Sequence, residues 1–279
     1  MDREPSSEGS EIFPGVPHYA SPHFEALFRG ADPETRSVAT ALRDEGYAVV
    51  DFQLQNFDRV AAELIEALEP HFHGNELLNV WRPDWSWNPA NRLVHTIASS
   101  ERMISLLSRV FGRRAFPFQT LNFRIGSCKR GHSDSAHFSS HPERFMCGVY
   151  VALEDVSEGS GPLFYYPGSH KLPILTNAQL GLQAPVDARG FTRFEDAWQS
   201  IVEAEGFEKR RFLAKRGQAV IWSANLIHGG EPIEDSDATR QTQVTHYFFH
   251  DCLYWTPLHS DPMRGEIIFR EPLDISRVL

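Results

Sequence analysis

Two hydrophobic rhythms divide the chain. Up to about Gly112 the apolar positions recur at helical spacing; from Ala115 onward they fall in short runs separated by Gly, Pro, Asn and Asp clusters. Asp32-Pro33 is a helix start, because Asp caps the free N–H groups and Pro suits the first helical position. That helix runs past Val38 and Leu42 to a stop at Gly46. Tyr47–Phe52 reads as a strand. Asn56 opens a second helix, with Val60, Leu64, Ile65 and Leu68 on one face. Ser100 opens a third, through Met103, Leu106, Leu107 and Val110 to Gly112. Beyond it, Pro117–Phe123, Phe145–Leu153 and Gln218–Trp222 read as strands. Short strands between turn clusters predict a sandwich or barrel, with the helices of 33–112 on its outside.

Three stretches stand apart. Residues 1–31 are rich in Pro, Ser, Gly and Glu and read as a poorly ordered arm, with Phe24, Leu27 and Phe28 available to dock. His71–Trp87 is irregular and aromatic, with Trp81, Trp85 and Trp87 around Arg82; it reads equally as a substrate lid or as packing between helices and barrel. Residues 172–208 form an insertion in the β region. Phe194, Trp198, Ile201 and Val202 share a helical face there, before a strand at Phe207–Leu213. The insertion either roofs a site or packs on the surface. No linker splits residues 32–279, which read as a single domain.

Composition narrows the functional classes. With 279 residues and a net charge of −10, the chain lacks the basic footprint that nucleic acid or an anionic membrane requires. Cys128, Cys147 and Cys252 are scattered and form neither a disulfide framework nor a zinc pattern. Met1–Glu11 shows no signal-peptide core, and no apolar run approaches a membrane span. A cytoplasmic protein acting on a small molecule, without nucleic-acid or membrane partners, is the expectation. Nothing fixes the oligomeric state.

The chemistry gathers at Gly131-His132-Ser133-Asp134, answered by Ile227-His228-Gly229 and Arg240. A His and a carboxylate two positions apart on extended backbone share a face. His228, from a distant strand, completes two imidazoles and one carboxylate, a set that holds non-haem Fe(II) and leaves positions open. Arg240 lies twelve residues past His228, where a planar guanidinium can grip a carboxylate; the other reading pairs it with Asp235 or Asp237. His137 and His141 have the i,i+4 spacing of helical zinc sites, but Pro142 follows and no HExxH motif is present. His246 and His250 either line the pocket or are ordinary polar residues beside the barrel.

The run His132-Ser133-Asp134, Val151-Ala152-Leu153-Glu154-Asp155, Gly161-Pro162-Leu163, Pro167-Gly168-Ser169-His170-Lys171, Gly217-Gln218, His228-Gly229-Gly230 and Arg240 closely resembles the phytanoyl-CoA dioxygenase family, in the same order over roughly residues 35–250. The resemblance implies a mainly β fold with flanking helices, a double-stranded β-helix of the jelly-roll, cupin-like kind. It implies Fe(II), held by His132, Asp134 and His228, with 2-oxoglutarate and O₂ as co-substrates. Arg240 would take the distal carboxylate of 2-oxoglutarate, and Tyr150 stands where the family has an aromatic beside it. Gln119 and Asn122, on the strand before the motif, would add hydrogen bonds. Ser133 replaces the family's common Gln between His and Asp. The turn at Pro167–Lys171 reads as architecture. Hydroxylation is the expected outcome, with desaturation, epimerisation and ring formation open to the same chemistry. Asp134 argues against a halogenase, which replaces that ligand by a small residue. A cupin-like metal isomerase or lyase that does not use O₂ is the main rival; it has no need of Arg240.

Overall fold

The computed structural model describes residues 13–72 and 80–278. Its α-helices are α1 (Phe24–Leu27), α2 (Pro33–Asp44), α3 (Phe57–Phe72), α4 (Pro89–Ala98), α5 (Glu101–Phe111) and α6 (Ala188–Ala204). The strands are β1 (Tyr47–Asp51), β2 (Val80–Trp81), β3 (Ala115–Phe123), β4 (Ser139–His141), β5 (Met146–Ala152), β6 (Leu163–Tyr165), β7 (Arg210–Phe212), β8 (Gln218–Ser223), β9 (His228–Gly230), β10 (Thr242–Phe249), β11 (Leu253–Trp255) and β12 (Phe269–Arg270).

The sequence's helix signals appear as hydrogen bonds. The Asp32 side chain accepts from Thr35 N, and Ser100 Oγ accepts from Met103 N, each satisfying an N–H that the helix leaves free. Gly112 closes α5 in the left-handed region at φ 81°. α4 was not expected, yet Asn88-Pro89 carries the same signal as Asp32-Pro33: the Asn88 side chain accepts from Asn91 N and Pro89 begins the helix.

The expected arm over 1–31 is corrected for its second half. Residues 18–20 form a 3₁₀ turn, α1 follows, and Tyr19, Phe24 and Phe28 are buried. Tyr19 packs edge-on to Phe111, 5.0 Å between centroids. A polar, Pro-rich composition masks three aromatics, each of which gains about 1.5–3 kcal/mol on burial. Residues 1–12 of that arm lie outside the described residues. Of the expected irregular stretch 71–87, His71 and Phe72 finish α3, residues 73–79 lie outside the described ones, and Val80–Trp81 is a strand.

The sheets are antiparallel throughout. Six strands run in the order β1-β8-β5-β10-β3-β2, and two three-stranded sheets are ordered β12-β11-β4 and β7-β6-β9. Strand alternation sorts the large sheet's side chains into two populations. Cys147, Val149, Val151, Ala219, Ile221, Tyr247 and Phe249 join the core formed with α2, α3, α4 and α5. Tyr150, Ala152, Val220, Trp222 and Val244 face the other way, toward Leu163, Tyr165 and Phe212 of the β7-β6-β9 sheet. The layers are thus helices, large sheet, interior, small sheet. Tyr247 Oη donates to Ala98 O at 2.7 Å and Gln243 Nε2 to Val94 O at 3.0 Å, fixing α4 on the sheet. The insertion adds a further layer: Phe194, Trp198 and Val202 of α6 pack on Phe164, Tyr166 and Ile227, outside the small sheet.

Candidate metal centre

His132 and His228 are far apart in sequence and adjacent in space because their backbones form an antiparallel bridge. His132 N donates to His228 O at 2.9 Å and His228 N to His132 O at 3.0 Å. Directly opposed residues on antiparallel strands project side chains to the same face, and the two imidazoles lie 4.5 Å apart between centroids. Ser133 is extended at φ −106° and ψ 131°, which carries Asp134 to the face of His132; the chain then turns into a 3₁₀ helix at Asp134–Ala136. Ser133 Oγ reaches Ala224 O and Asn225 Oδ1, tying this segment to the loop before His228. The ligand atoms of His132, Asp134 and His228 all lie within 4.8 Å of one another, and all three residues are buried.

Both ring tautomers are determined. His132 Nδ1 lies 2.9 Å from Arg130 O and His228 Nδ1 3.0 Å from Leu226 O. A carbonyl only accepts, so each Nδ1 carries the proton and each Nε2 presents a lone pair inward. Burial lowers the pKa of His228 and lowers that of His132 well below its ordinary value, with Lys129 adding to the latter. Both shifts favour the neutral ring that metal ligation requires. Burial alone would raise Asp134, but the facing imidazoles of His228, His246 and His132 reverse that and leave it well below the usual carboxylate range. Trp222 Nε1 donates to Asp134 Oδ2 at 2.9 Å and aims the carboxylate.

These groups line a cavity of about 540 Å³, together with Gln119, Tyr150, Arg240, His246, Lys129 and Arg82 among others. Arg240 is 3 % exposed. Its Nη1 donates to Gly161 O at 2.8 Å, its Nε has no partner, and no carboxylate pairs with it among the described residues. The expected alternative, pairing with Asp235 or Asp237, is not what the structure contains. Tyr150 Oη is likewise buried without a partner, and burial pushes its phenol up to about 12, so it remains a donor. A buried guanidinium with no carboxylate partner and an unsatisfied Nε is costly on its own. Arg240 and Tyr150 thus offer unpartnered donors to one cavity, which suits a carboxylate, and the two-histidine, one-carboxylate set beside them suits Fe(II). The residues present fit both groups.

Gln119 lines the cavity, with Oε1 3.1 Å from His246 Nδ1. His246 is buried beside the triad, its Nε2 3.6 Å from Asp134 Oδ2. Asn122 is a correction. On β3 the side chains of Gln119, Leu121 and Phe123 face the cavity, and alternation turns Asn122 away; its Nδ2 donates to Trp81 O at 3.3 Å, securing β2 instead. The His137 and His141 pair does not gather: among the described residues the triad is the one cluster that could hold a metal, and His141 is exposed at the end of β4. His250 lies tilted against Phe116, 4.8 Å between ring centroids. Sequence reasoning missed Trp222 and Lys129. Trp222 could have been found from parity with Val220 on β8; nothing in the sequence marked Lys129. No residue of 172–208 lines this cavity.

Comparison with known proteins agrees with this geometry. The phytanoyl-CoA dioxygenase family model matches residues 34–242. The chain belongs to the phytanoyl-CoA dioxygenase family. It is 26 % identical over 136 residues to phytanoyl-CoA dioxygenase domain-containing protein 1 of Danio rerio, covering 48 % of this chain and 43 % of that protein. The Mus musculus protein of the same name is 26 % identical over 129 residues, 45 % and 41 % of the two chains. The chain thus spans less than half the length of these curated relatives. Among solved structures, the non-heme alpha ketoglutarate dependent carbocyclase SnoK has a TM-score of 0.61 at 18 % identity, over 88 % of this chain and 94 % of that one. EctD from S. alaskensis, with 2-oxoglutarate and 5-hydroxyectoine, gives 0.60 at 18 % identity, over 85 % and 84 %. These neighbours share the double-stranded β-helix. No helix among the described residues is long and apolar enough to cross a membrane.

Proposed function

We propose that the protein is an Fe(II)- and 2-oxoglutarate-dependent dioxygenase that hydroxylates a small organic molecule. The observation that carries this reading is Arg240, a buried guanidinium with no carboxylate partner among the described residues, in the same cavity as a buried His132, Asp134, His228 cluster. His132 Nε2, Asp134 and His228 Nε2 would hold iron, and Arg240 with Tyr150 would hold the distal carboxylate of 2-oxoglutarate. Bound there, iron with 2-oxoglutarate and O₂ supplies an oxidant for unactivated C–H bonds, releasing succinate and CO₂. The chain's part is to fix two imidazole tautomers, aim one carboxylate through Trp222 and keep water from the interior. Asp134 occupies the position that a halogenase leaves to halide. A metal isomerase or lyase would leave Arg240 without a purpose. Three free, scattered cysteines fit a cytoplasmic setting.

The test is anaerobic titration of the Fe(II)-loaded protein with 2-oxoglutarate, followed by O₂ admission with a substrate panel. A metal-to-ligand charge-transfer band and O₂-dependent succinate release are expected. Iron binding without either would overturn the reading in favour of the isomerase or lyase.

A further inference from the structure

Once iron and 2-oxoglutarate are assigned, the cavity has charge left over. Iron(II) and Arg240 carry three formal positive charges; Asp134 and 2-oxoglutarate carry three negative. Asp134 is the sole acidic side chain lining the cavity among the described residues, whereas Lys129 and Arg82 also line it. Neither cation is in an ion pair or donates a hydrogen bond among the described residues. Lys129 is half-buried, its Nζ 5.8 Å from the centroid of the Phe191 ring. Any protonated imidazole would only add to the excess.

Both cations stand on anchored backbone. Lys129 O accepts from Gly230 N at 2.8 Å, and a Cβ on Gly229 would lie 2.5 Å from that same oxygen, so the approach needs glycine there. Arg82 follows β2, whose Trp81 O accepts from the Asn122 side chain. The two are near enough for their charges to repel. The Asp134 and Glu195 carboxylates act on Lys129 with the opposite sign, but neither pairs with it or with the exposed Arg82 among the described residues, so both cations stay available to an anion that enters the mouth. Arg82 and Gln119 also line a second cavity of about 550 Å³, bounded by Trp85, Thr256 and Arg270 among others. A substrate longer than the first cavity can therefore continue past Arg82.

We propose that the substrate is a small organic anion whose acidic group is received between Lys129 and Arg82, presenting the rest of the molecule to the His132, Asp134, His228 centre. This rests on the dioxygenase reading for the location of the reacting carbon, but the anion site stands on the two cations alone. The acid could be a carboxylate or a phosphate ester; charge is what the site reads.

The experiment is a binding screen of organic acids and phosphate monoesters, each paired with its neutral amide or alcohol, against the full chain under argon with Fe(II) and 2-oxoglutarate. Calorimetry reports the affinity of each compound. The charge-transfer band reports 2-oxoglutarate separately. Expected hits are acids or phosphates whose neutral counterparts bind at least about tenfold more weakly. Lys129→Gln and Arg82→Gln should each weaken those hits by about ten- to a hundred-fold, the range of a hydrogen bond to a charged group. Lys129→Arg should recover part of the loss. The 2-oxoglutarate dissociation constant should stay within about threefold, which also shows that the variants are folded. A wild type that binds none of the anions, hits held equally by both variants, or neutral counterparts that bind as well as the acids would overturn the proposal. So would a 2-oxoglutarate affinity that falls in step with the hits, because Lys129 and Arg82 would then belong to the co-substrate. A missing charge-transfer band in wild type, with anion binding that still depends on Lys129 and Arg82, would sink the dioxygenase reading and leave the anion site intact.

Discussion

Arg240 shows how far one residue can direct a functional reading. Its guanidinium is buried, donates one side-chain hydrogen bond, to Gly161 O, and faces the Phe123 and Tyr150 rings. Removing the guanidinium by Arg240→Ala should leave iron stoichiometry unchanged, since Arg240 is not a ligand. Affinity for 2-oxoglutarate should fall by a few hundred- to a few thousand-fold, on the basis of about 3–5 kcal/mol for one side of a buried pair. Arg240→Lys should regain only part, because a point charge does not reproduce a planar fork; titration of the anaerobic charge-transfer band measures both. Trp222→Phe makes a different prediction. It keeps a buried aromatic and deletes the donor to Asp134 Oδ2, so iron affinity should fall by about ten- to a hundred-fold while 2-oxoglutarate affinity at saturating iron changes little. Competition with a chelator reads the first quantity. That His132, Asp134 and His228 gather, with Arg240 lining the same cavity, was legible in the sequence because residue type and spacing suggest it. Lys129 was not, since a surface lysine and a cavity lysine look alike until the fold turns one of them inward.

Among the elements, the turn at Pro167–Lys171 joins the site to the helical layer. Ser169 Oγ accepts from Ile227 N at 2.9 Å, and Tyr166 N donates to Ile227 O at 3.0 Å, so the residue before His228 is held on both sides. On the other flank, His170 Nε2 lies 3.1 Å from Arg43 O near the end of α2, and its ring fills the space a Cβ at Gly46 would need, 2.4 Å from Nδ1. Burial lowers the His170 pKa to about 4, against a weaker opposing effect of the Arg43 carbonyl. The unfolded chain therefore takes up a proton near pH 6.5 that the folded one refuses until about 4. His170's stabilisation is full above pH 6.5 and is lost as pH falls toward 4. Urea unfolding of wild type and His170→Gln should show the gap between them narrowing by about 2 kcal/mol from pH 7.5 to 5. Other buried imidazoles add to the total decline, and the difference isolates His170. Helix boundaries set by caps were readable in the sequence. Phe24 and Phe28 were readable as residues that could dock, but Tyr19 meeting Phe111 of α5 was not, because composition does not say where an aromatic lands.

For the molecule as a whole, the insertion packs on the outside of the small sheet and meets the mouth at its edge, where Phe191 of α6 lies 5.8 Å from Lys129 Nζ. α6 packs outside the small sheet on Phe164, Tyr166 and Ile227, whereas Val80, Arg82, Ser127 and Lys129 line the cavity. Hydrogen exchange with and without 2-oxoglutarate should therefore show protection gained at 80–82 and 127–132 and little change over 188–204. A large gain confined to 188–204 would make the insertion the roof after all. The double-stranded β-helix was legible from motif order, but which inserted segment borders the cavity depends on how the sheets stack, which no local pattern encodes. That stacking has a further consequence for how such a protein changes over generations. The large sheet is one strand thick, with its stability-bearing packing on the helix side and its cavity lining on the other. Leu121 and Val244 of the large sheet line the cavity and can be exchanged to admit a new molecule without disturbing Val149, Ile221 or Phe249 on its other face. A lineage built this way can drift in what it oxidises while its foldability is inherited almost untouched.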